Sequence, residues 1–230
     1  MELGGNAPFI VFEDADLDAA AQGAMVSKFR SLGQTCVCAN RLYIHEKVYD
    51  EFAKKFVALV NKTKMGYGLD EGITHGPLIN QKLMDKVREH IDDAVKKGAK
   101  VLAGGNKLPN LGENFHELTV LGDVTKDMVI TQDETFGPVC PLIKFSTDEE
   151  VIAAANDTDV GLAGYFFSKD VLRLFTVGEE LNVGMIGVNA GGISEAALPF
   201  GGVGEAGFGR EGSKYGIDDY TVVKAMVVGL

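Results

Sequence analysis

The sequence predicts an α/β fold with a twisted, largely parallel sheet and helices on both faces. Short apolar runs that suit buried strands alternate along the chain with longer segments whose apolar residues recur at helical spacing. This alternation is typical of parallel strands joined by helices. The chain has 230 residues, of which 46% are hydrophobic, so it is long enough to bury a substantial core.

The first half of the chain contains two predicted strands and three predicted helices. Asp16 is a suitable N-cap for the first helix, and Gly98 follows the third at the position where glycine commonly ends a helix. The second helix repeats apolar residues on one face, as an amphipathic helix requires. In chain order the elements are a strand at Phe9–Phe12, a helix from Asp16 toward Leu32, a strand at Leu42–Ile44, and helices at Val48–Lys64 and Gln81–Lys97.

The second half continues the alternation as far as Val188. Pro138 and Pro141 lie at the start of one apolar run, and proline lacks the N–H that a sheet ladder needs, so we predict that this strand starts as an edge or irregular segment. The predicted strands are Val101–Ala103, Glu117–Leu121, Val139–Phe145, Ala163–Phe167 and Val183–Val188, and the predicted helices are Glu149–Asn156 and Val171–Leu181.

A glycine-rich stretch and an apolar tail complete the chain. Residues 189–216 form a predicted long loop, and loops of that length in compact domains are usually functional. Residues 220–229 are rich in valine, so we predict a strand that reaches a neighbouring sheet or subunit. We therefore expect two parts, a main domain at residues 1–217 and a C-terminal oligomerisation strand at residues 218–230.

Charge and cysteine content exclude several classes of protein. Lys and Arg total 22 against 33 Asp and Glu, and the net charge of −11 disfavours nucleic acids and anionic membranes as partners. Three cysteines without a disulfide spacing favour a reducing compartment, cytoplasmic or organellar. We find no signal peptide and no apolar run of the roughly 20 residues that a membrane helix needs, so we expect a soluble protein. The chain begins almost directly on a strand, which suggests that a segment has been removed upstream.

The stretch GQTCVCANR at residues 33–41 contains the most reactive residue types. Cys36 lies in a loop just after a helix, where a thiol can be accessible and backbone N–H groups can stabilise negative charge. Burial in the core is the alternative for Cys36 and for Cys38. A metal site is disfavoured because the cysteines are one residue apart and the histidines supply no second ligand pair. Glu2 and Glu134 are weak signals when taken alone.

Five motifs together resemble the aldehyde dehydrogenase superfamily. The resemblance extends over all 230 residues but covers only the C-terminal half of that family's usual chain, so the N-terminal cofactor-binding domain is expected to be absent. Within the superfamily the motifs are most similar to succinate-semialdehyde dehydrogenases. In chain order they are ELGGNAP at residues 2–8, GQTCVCANR at 33–41, ETFGPV at 134–139, GLAGYFFSKD at 161–170, and PFGG with GFGREG between 199 and 212.

The resemblance implies a role for each matching residue. Cys36 matches the nucleophile, whose thiolate forms a thiohemiacetal with the aldehyde and then a thioester, and Glu2 matches the general base. Glu134 matches the residue that holds the nicotinamide ribose, and Phe136 packs beside the same end of the cofactor. The implied cofactor is NAD or NADP, bound mainly by the absent domain. The full-length protein is expected to form a homodimer or homotetramer.

The implied substrate is a small aldehyde with a distal carboxylate, succinate semialdehyde. Arg30 and Ser194 match the positions that bind this carboxylate, and a guanidinium can hold it with two parallel hydrogen bonds. The alternatives are another acid semialdehyde, such as glutarate semialdehyde, or an isolated domain without activity. Gly204-Glu205-Ala206 in the glycine-rich loop replaces the family's usual Lys and Ser.

Cys38 is a candidate redox partner of Cys36. In an extended segment, side chains two residues apart share a face, so a strained and easily reduced disulfide between them is one prediction. A small buried side chain is the alternative for Cys38.

Overall fold

The computed structural model describes residues 1–229, and its centre is a seven-stranded sheet. The strand order is β3-β4-β5-β2-β1-β7-β8, and every neighbouring pair is parallel except β3 with β4. The predicted α/β fold with a largely parallel sheet is confirmed. The strands are β1 Ala7–Val11, β2 Ala39–His45, β3 Lys100–Ala103, β4 Thr119–Gly122, β5 Val139–Phe145, β7 Ala163–Phe167 and β8 Met185–Val188. Two further strands, β6 Val160–Gly161 and β9 Val203–Gly204, pair antiparallel outside this sheet.

Six α-helices are formed by the described residues. Asp16 caps the first of them, accepting hydrogen bonds from the backbone N–H groups of Asp18 and Ala19 at 3.0 Å each, so the predicted N-cap is confirmed. The short α4 was not predicted, because four residues show no periodicity. The helices are α1 Leu17–Phe29, α2 Tyr49–Val60, α3 Gln81–Lys96, α4 Val129–Gln132, α5 Asp148–Asn156 and α6 Val171–Glu180, with 3₁₀ turns at Arg30–Gly33 and Asp218–Tyr220.

Apart from its edge strands β3 and β8, the sheet is buried on both faces, as a parallel sheet requires. Successive strand residues point to opposite faces, so Phe9 and Val11 of β1 enter one apolar cluster while Ile10 enters the other. The first cluster contains side chains of α1, α2 and α3, and the second contains side chains of α5 and α6. Helices therefore cover both faces, as predicted.

The prediction that Pro138 and Pro141 make the start of β5 an edge or irregular segment is confirmed for residues 139–141, which pair on one side only, although the strand as a whole is interior. β5 lies inside the sheet, between β4 and β2. Its pairing with β4 ends at Pro141, and its pairing with β2 begins at Leu142. The missing N–H of Pro141 therefore falls where one ladder gives way to the other, so an interior strand tolerates it.

The C-terminal tail has no regular structure within this chain. Residues 221–229 form neither helix nor strand, and the side chains of Val222, Val223, Met226 and Val227 are almost fully exposed. The predicted strand at 218–230 stays a prediction, and its last residue, Leu230, lies outside the described residues. Among residues 1–229, no helix is both long and apolar enough to cross a membrane.

Candidate active site

Cys36 lies in a tight turn between α1 and β2. The Cys38 N–H donates to the Thr35 carbonyl oxygen at 2.9 Å, which closes the turn. The Gln34 side chain fixes the turn from outside, since its Nε2 donates to the Ser31 carbonyl oxygen and its Oε1 accepts from the Ile79 N–H. The backbone around Cys36 is therefore held by both its own turn and a separate loop.

A left-handed segment connects α1 to this turn. Ser31, Leu32 and Gly33 have φ angles of 50°, 59° and 77°, in the left-handed region that residues other than glycine seldom adopt. The helix therefore ends at Phe29 rather than Leu32, where the prediction placed its end. Leu32 is only 2% exposed, so it fits the apolar pattern of the predicted helix although its backbone is not helical.

The glycine-rich loop holds the backbone on both sides of Glu2. Glu2 forms an antiparallel bridge with Gly207, the Leu3 N–H donates to the Ala206 carbonyl oxygen, and the Phe208 N–H donates to the Met1 carbonyl oxygen. Gly207 has a φ of 121°, and a Cβ there would lie 2.2 Å from the Met1 oxygen. A glycine is thus required at this contact. The loop predicted to be functional holds one of the predicted site residues.

Cys36 and Glu2 come together in space although 34 residues separate them. The Cys36 Sγ lies 3.7 Å from the Glu2 Oε1, within hydrogen-bonding range for a thiol. Burial raises the pKa of Cys36, and the negative charge of Glu2 raises it further, while the residue's own backbone N–H lowers it. The resting sulfur is therefore a thiol, and a carboxylate lies in position to accept its proton.

Glu134 lies beside the same short backbone segment. The Gly5 N–H donates to the Glu134 Oε1 at 3.3 Å, and a Cβ at Gly4 would lie 3.2 Å from the other carboxylate oxygen. Gly5 also packs against Cys36, because a Cβ on Gly5 would lie 2.5 Å from the Cys36 carbonyl oxygen. Two glycines thus let the backbone of Cys36 and the carboxylate of Glu134 approach one short segment closely.

The carboxylate of Glu134 faces an open cleft. Burial raises the pKa of Glu134, while the Gly5 N–H and the charges of Lys86 and Lys28 act in the opposite direction. Gly4, Gly5 and Glu134 border a cleft of about 1660 Å³, so the carboxylate faces space that a ligand or a further domain can fill. Phe136, with a φ of 54°, is partly exposed in the same loop.

The structure places Arg30 and Ser194 on the surface without joining them. Arg30 is exposed at the end of α1, and its guanidinium forms no ion pair or hydrogen bond with the described residues. Ser194 is exposed in the loop after β8, and within residues 1–229 no hydrogen bond connects it to the pair of Cys36 and Glu2. Gly191 of that loop packs on Gly23 of α1, so the loop lies against the helix that carries Arg30. Their roles stay predictions.

A family model described as the aldehyde dehydrogenase family matches residues 1–226. This chain belongs to the aldehyde dehydrogenase family. The resemblance seen in the five motifs is confirmed.

Relatives in the aldehyde dehydrogenase family are similar over the whole chain. The chain is 57% identical to a succinate-semialdehyde dehydrogenase (NADP+) of Schizosaccharomyces pombe over 99% of its length and 46% of the relative's. It is 56% identical to a glutarate-semialdehyde dehydrogenase of Pseudomonas aeruginosa over 100% of its own length and 47% of the relative's. A crystal structure of an E. coli NADP-dependent enzyme matches it with a TM-score of 0.97 and 55% identity, over 100% of this chain and 47% of that one. The chain spans about half the length of these relatives.

In this aldehyde dehydrogenase chain, the backbone between Cys36 and Cys38 differs from the predicted extended conformation. The segment around Cys36 is a turn rather than an extended strand, so the argument that the two cysteines share a face was wrong. Cys38 is 1% exposed, and its Sγ lies 3.9 Å from the Arg30 carbonyl oxygen. Among residues 1–229, no group of three or more His, Cys, Asp or Glu is placed to hold a metal ion.

Lys28 is a buried residue near the site that sequence reasoning missed. It is fully buried, and its Nζ lies 3.2 Å from Asn40 Oδ1. Burial lowers its pKa, while the nearby Cys38 and Glu134 act in the opposite direction. Lysines almost never lie in cores, so nothing in the sequence indicated this one.

Proposed function

We propose that this chain is the catalytic portion of an NAD(P)-dependent dehydrogenase that oxidises succinate semialdehyde to succinate. The pair of Cys36 and Glu2, 3.7 Å apart, is the observation that carries the proposal. A thiol next to a carboxylate supplies both the nucleophile and the base that aldehyde oxidation requires. Glutarate semialdehyde is the second candidate substrate, because a glutarate-semialdehyde dehydrogenase is 56% identical to the chain.

The first half of the reaction depends on a proton transfer inside this pair. Glu2 accepts the thiol proton of Cys36, and the thiolate attacks the carbonyl carbon of the aldehyde to give a thiohemiacetal on Cys36 whose oxygen carries the negative charge and re-forms the C=O when hydride leaves. A nicotinamide cofactor, when bound, would supply the hydride acceptor. Loss of that hydride from the thiohemiacetal carbon leaves a thioester on Cys36. Burial and the charge of Glu2 raise the pKa of Cys36, so the sulfur rests as a thiol, and Glu2 lies in position to accept its proton.

The second half of the reaction releases the acid. Glu2, after passing its proton to solvent, takes a proton from a water molecule that attacks the thioester carbon. The C–S bond then breaks, the Cys36 thiolate leaves, and the carboxylic acid departs. A thiolate is a good leaving group, so the same sulfur serves both steps.

The cofactor, NAD or NADP, would be held on this chain by Glu134, whose carboxylate can accept from ribose hydroxyls, with Phe136 beside it. The greater share of its contacts is proposed to come from a domain that precedes this chain. We therefore expect the 230-residue chain to be inactive without that domain.

Arg30 and Ser194 are proposed to bind the distal carboxylate of the substrate. With a net charge of −11 the protein repels anions at long range, so a local cation is needed to hold one. This role is supported by the position of Arg30 directly after α1, six residues before Cys36, and by its exposed guanidinium, which is unpaired among the described residues.

Replacing Arg30 by alanine is expected to raise the KM for succinate semialdehyde about ten- to a hundredfold, the effect of losing one charge-assisted contact. Steady-state rates with an uncharged aldehyde of similar length are the control, and its KM should change by less than about twofold. An Arg30→Lys variant separates charge from geometry, because lysine keeps the charge without the fork. Equal losses on both aldehydes would show that Arg30 does not bind the carboxylate.

Activity is tested by joining this chain to the amino-terminal part of the E. coli relative and following reduction of the nicotinamide. We expect oxidation of succinate semialdehyde by the joined protein, little or none by the 230-residue chain, and alkylation of Cys36 in both. A series of acid semialdehydes of different length distinguishes succinate from glutarate semialdehyde. A joined protein that folds and binds cofactor but oxidises no semialdehyde refutes the proposed function.

A reversible disulfide between Cys36 and Cys38 is proposed as an oxidative off-switch. Its support is their position in one turn, although Cys38 is buried and the turn has to rearrange before the sulfurs meet. Peroxide treatment should remove two hydrogens from this peptide in a way that reductant reverses, as seen by mass spectrometry. Sulfinic acid on Cys36 alone would contradict the switch.

Self-association through the tail is proposed for the complete protein. The exposed apolar side chains of residues 222–228 support it, because a stretch of that kind is usually covered in an assembly.

A further inference from the structure

Helix α3 contacts the loop that carries Glu134 and Phe136. The Lys86 Nζ donates to the Glu134 carbonyl oxygen at 2.5 Å, and the His90 Nδ1 lies 3.1 Å from the Thr135 Oγ1. These two residues lie four apart on one helix, so they project from the same face. Neither belongs to the pair of Cys36 and Glu2.

The contact between His90 and Thr135 is sealed from solvent. His90 is 1% exposed and Thr135 is fully buried, whereas the two neighbours of Thr135 in the loop are partly exposed. Burial, with the charge of Lys86, lowers the pKa of His90 to about 4, so the ring is neutral near neutral pH. Two neutral polar groups buried together have to satisfy each other, because leaving either without a partner is costly.

The loop after Thr135 is tightly constrained. Phe136 has a left-handed φ of 54°, which is uncommon for a residue with a side chain. A Cβ on Gly137 would lie 2.5 Å from Val87 Cγ2 of α3, and a Cβ on Gly33 would lie 2.2 Å from the Gly137 carbonyl oxygen. The loop is therefore pressed between α3 and the segment that precedes Cys36.

We propose that Lys86, His90 and Thr135 are positioning residues for the cofactor. They fix the buried side of the loop, so that Glu134 and Phe136, on either side of Thr135, are presented to the nicotinamide ribose. The inference rests on the proposed function in one respect, the assignment of Glu134 as a cofactor ligand. The anchoring of the loop by α3 is independent of that assignment.

Two substitutions at Thr135 test the proposal in the protein joined to the amino-terminal part of the E. coli relative. Thr135→Val keeps the shape but removes the hydroxyl, and Thr135→Ser keeps the hydroxyl. We expect Thr135→Val to raise the cofactor KM about three- to tenfold, the effect of one lost hydrogen bond. The aldehyde KM should change less than about twofold, and Thr135→Ser should retain the wild-type cofactor KM. An unchanged cofactor KM in Thr135→Val, or equal defects in both variants, overturns the proposal.

Hydrogen exchange in the 230-residue chain tests the anchoring without any activity. Thr135→Val should increase exchange in residues 133–138 at least about threefold relative to residues of α2, and Thr135→Ser should not. If Thr135→Val does not fold, Lys86→Met serves instead, since Lys86 is partly exposed and its substitution removes the bond to Glu134. Unchanged exchange in the folded variant overturns the proposal. If the wild-type joined protein lacks dehydrogenase activity while Thr135→Val shows the predicted increase in exchange, only the proposed function is refuted.

Discussion

Replacing Glu2 by glutamine is expected to make Cys36 more reactive toward an alkylating reagent near neutral pH while reducing aldehyde oxidation roughly 10²- to 10⁴-fold. The two effects have one cause. The charge of Glu2 and its contact with the thiol raise the pKa of Cys36, so removal of the charge lowers that pKa and increases the thiolate fraction. The same substitution removes the base that activates water.

The measurement is the alkylation rate of Cys36 by iodoacetamide as a function of pH, beside steady-state oxidation in the joined protein. The midpoint of the alkylation profile should move to lower pH in Glu2→Gln. Glu205→Gln is the matched control, because Glu205 is an exposed acid in the same glycine-rich loop and should change neither quantity. A midpoint that moves to higher pH, or full oxidation by Glu2→Gln, would show that Glu2 does not act on Cys36.

Replacing Gly33 by alanine is expected to destabilise the chain by about 3 kcal/mol or more. Gly33 has a φ of 77°, and its Cβ would lie 2.2 Å from the Gly137 carbonyl oxygen. Both contacting groups are backbone, so neither can move without shifting the Cys36 turn or the Glu134 loop. Relief of the clash therefore has to distort the site as well as the fold.

Urea unfolding measures this loss directly. Gly76→Ala is the control, because Gly76 has no atoms within 4 Å of its added Cβ and does not have a left-handed φ. That variant should remain within about 0.5 kcal/mol of wild type. A Gly33→Ala chain as stable as Gly76→Ala would mean that the Cys36 turn and the Glu134 loop are not packed backbone to backbone.

Local patterns were sufficient to predict most of the sheet. β1 and β7 are short apolar runs with bulky side chains, and α3 has apolar residues on one face, so each was predicted within a few residues. β6 and β9 were missed because two residues cannot form a pattern. The prolines indicated the one-sided start of β5, but the change of partner at Pro141 and Leu142 is visible only in the sheet order.

The site was predictable in its residue types but not in its geometry. The motifs indicated Cys36, Glu2 and Glu134, but their approach depends on contacts between distant segments, such as the bridge of Glu2 with Gly207. The end of α1 was also hidden, because a buried Leu32 fits a helical pattern even with a left-handed backbone. An apolar pattern in the sequence does not reveal the backbone φ angle. Lys28 was also missed, because lysines are expected on the surface and this one is buried.

The claim that Cys36 is acylated during aldehyde oxidation is tested most directly by trapping the thioester. Glu2→Gln protein, joined to the amino-terminal part of the E. coli relative, is incubated with cofactor and succinate semialdehyde, quenched in acid, and digested for mass spectrometry. We predict a succinyl group on Cys36, removed by hydroxylamine and absent when cofactor is omitted. An unmodified Cys36, or a succinyl group on Cys38 or Cys140 instead, in a preparation whose wild type oxidises the substrate, would contradict the proposed mechanism.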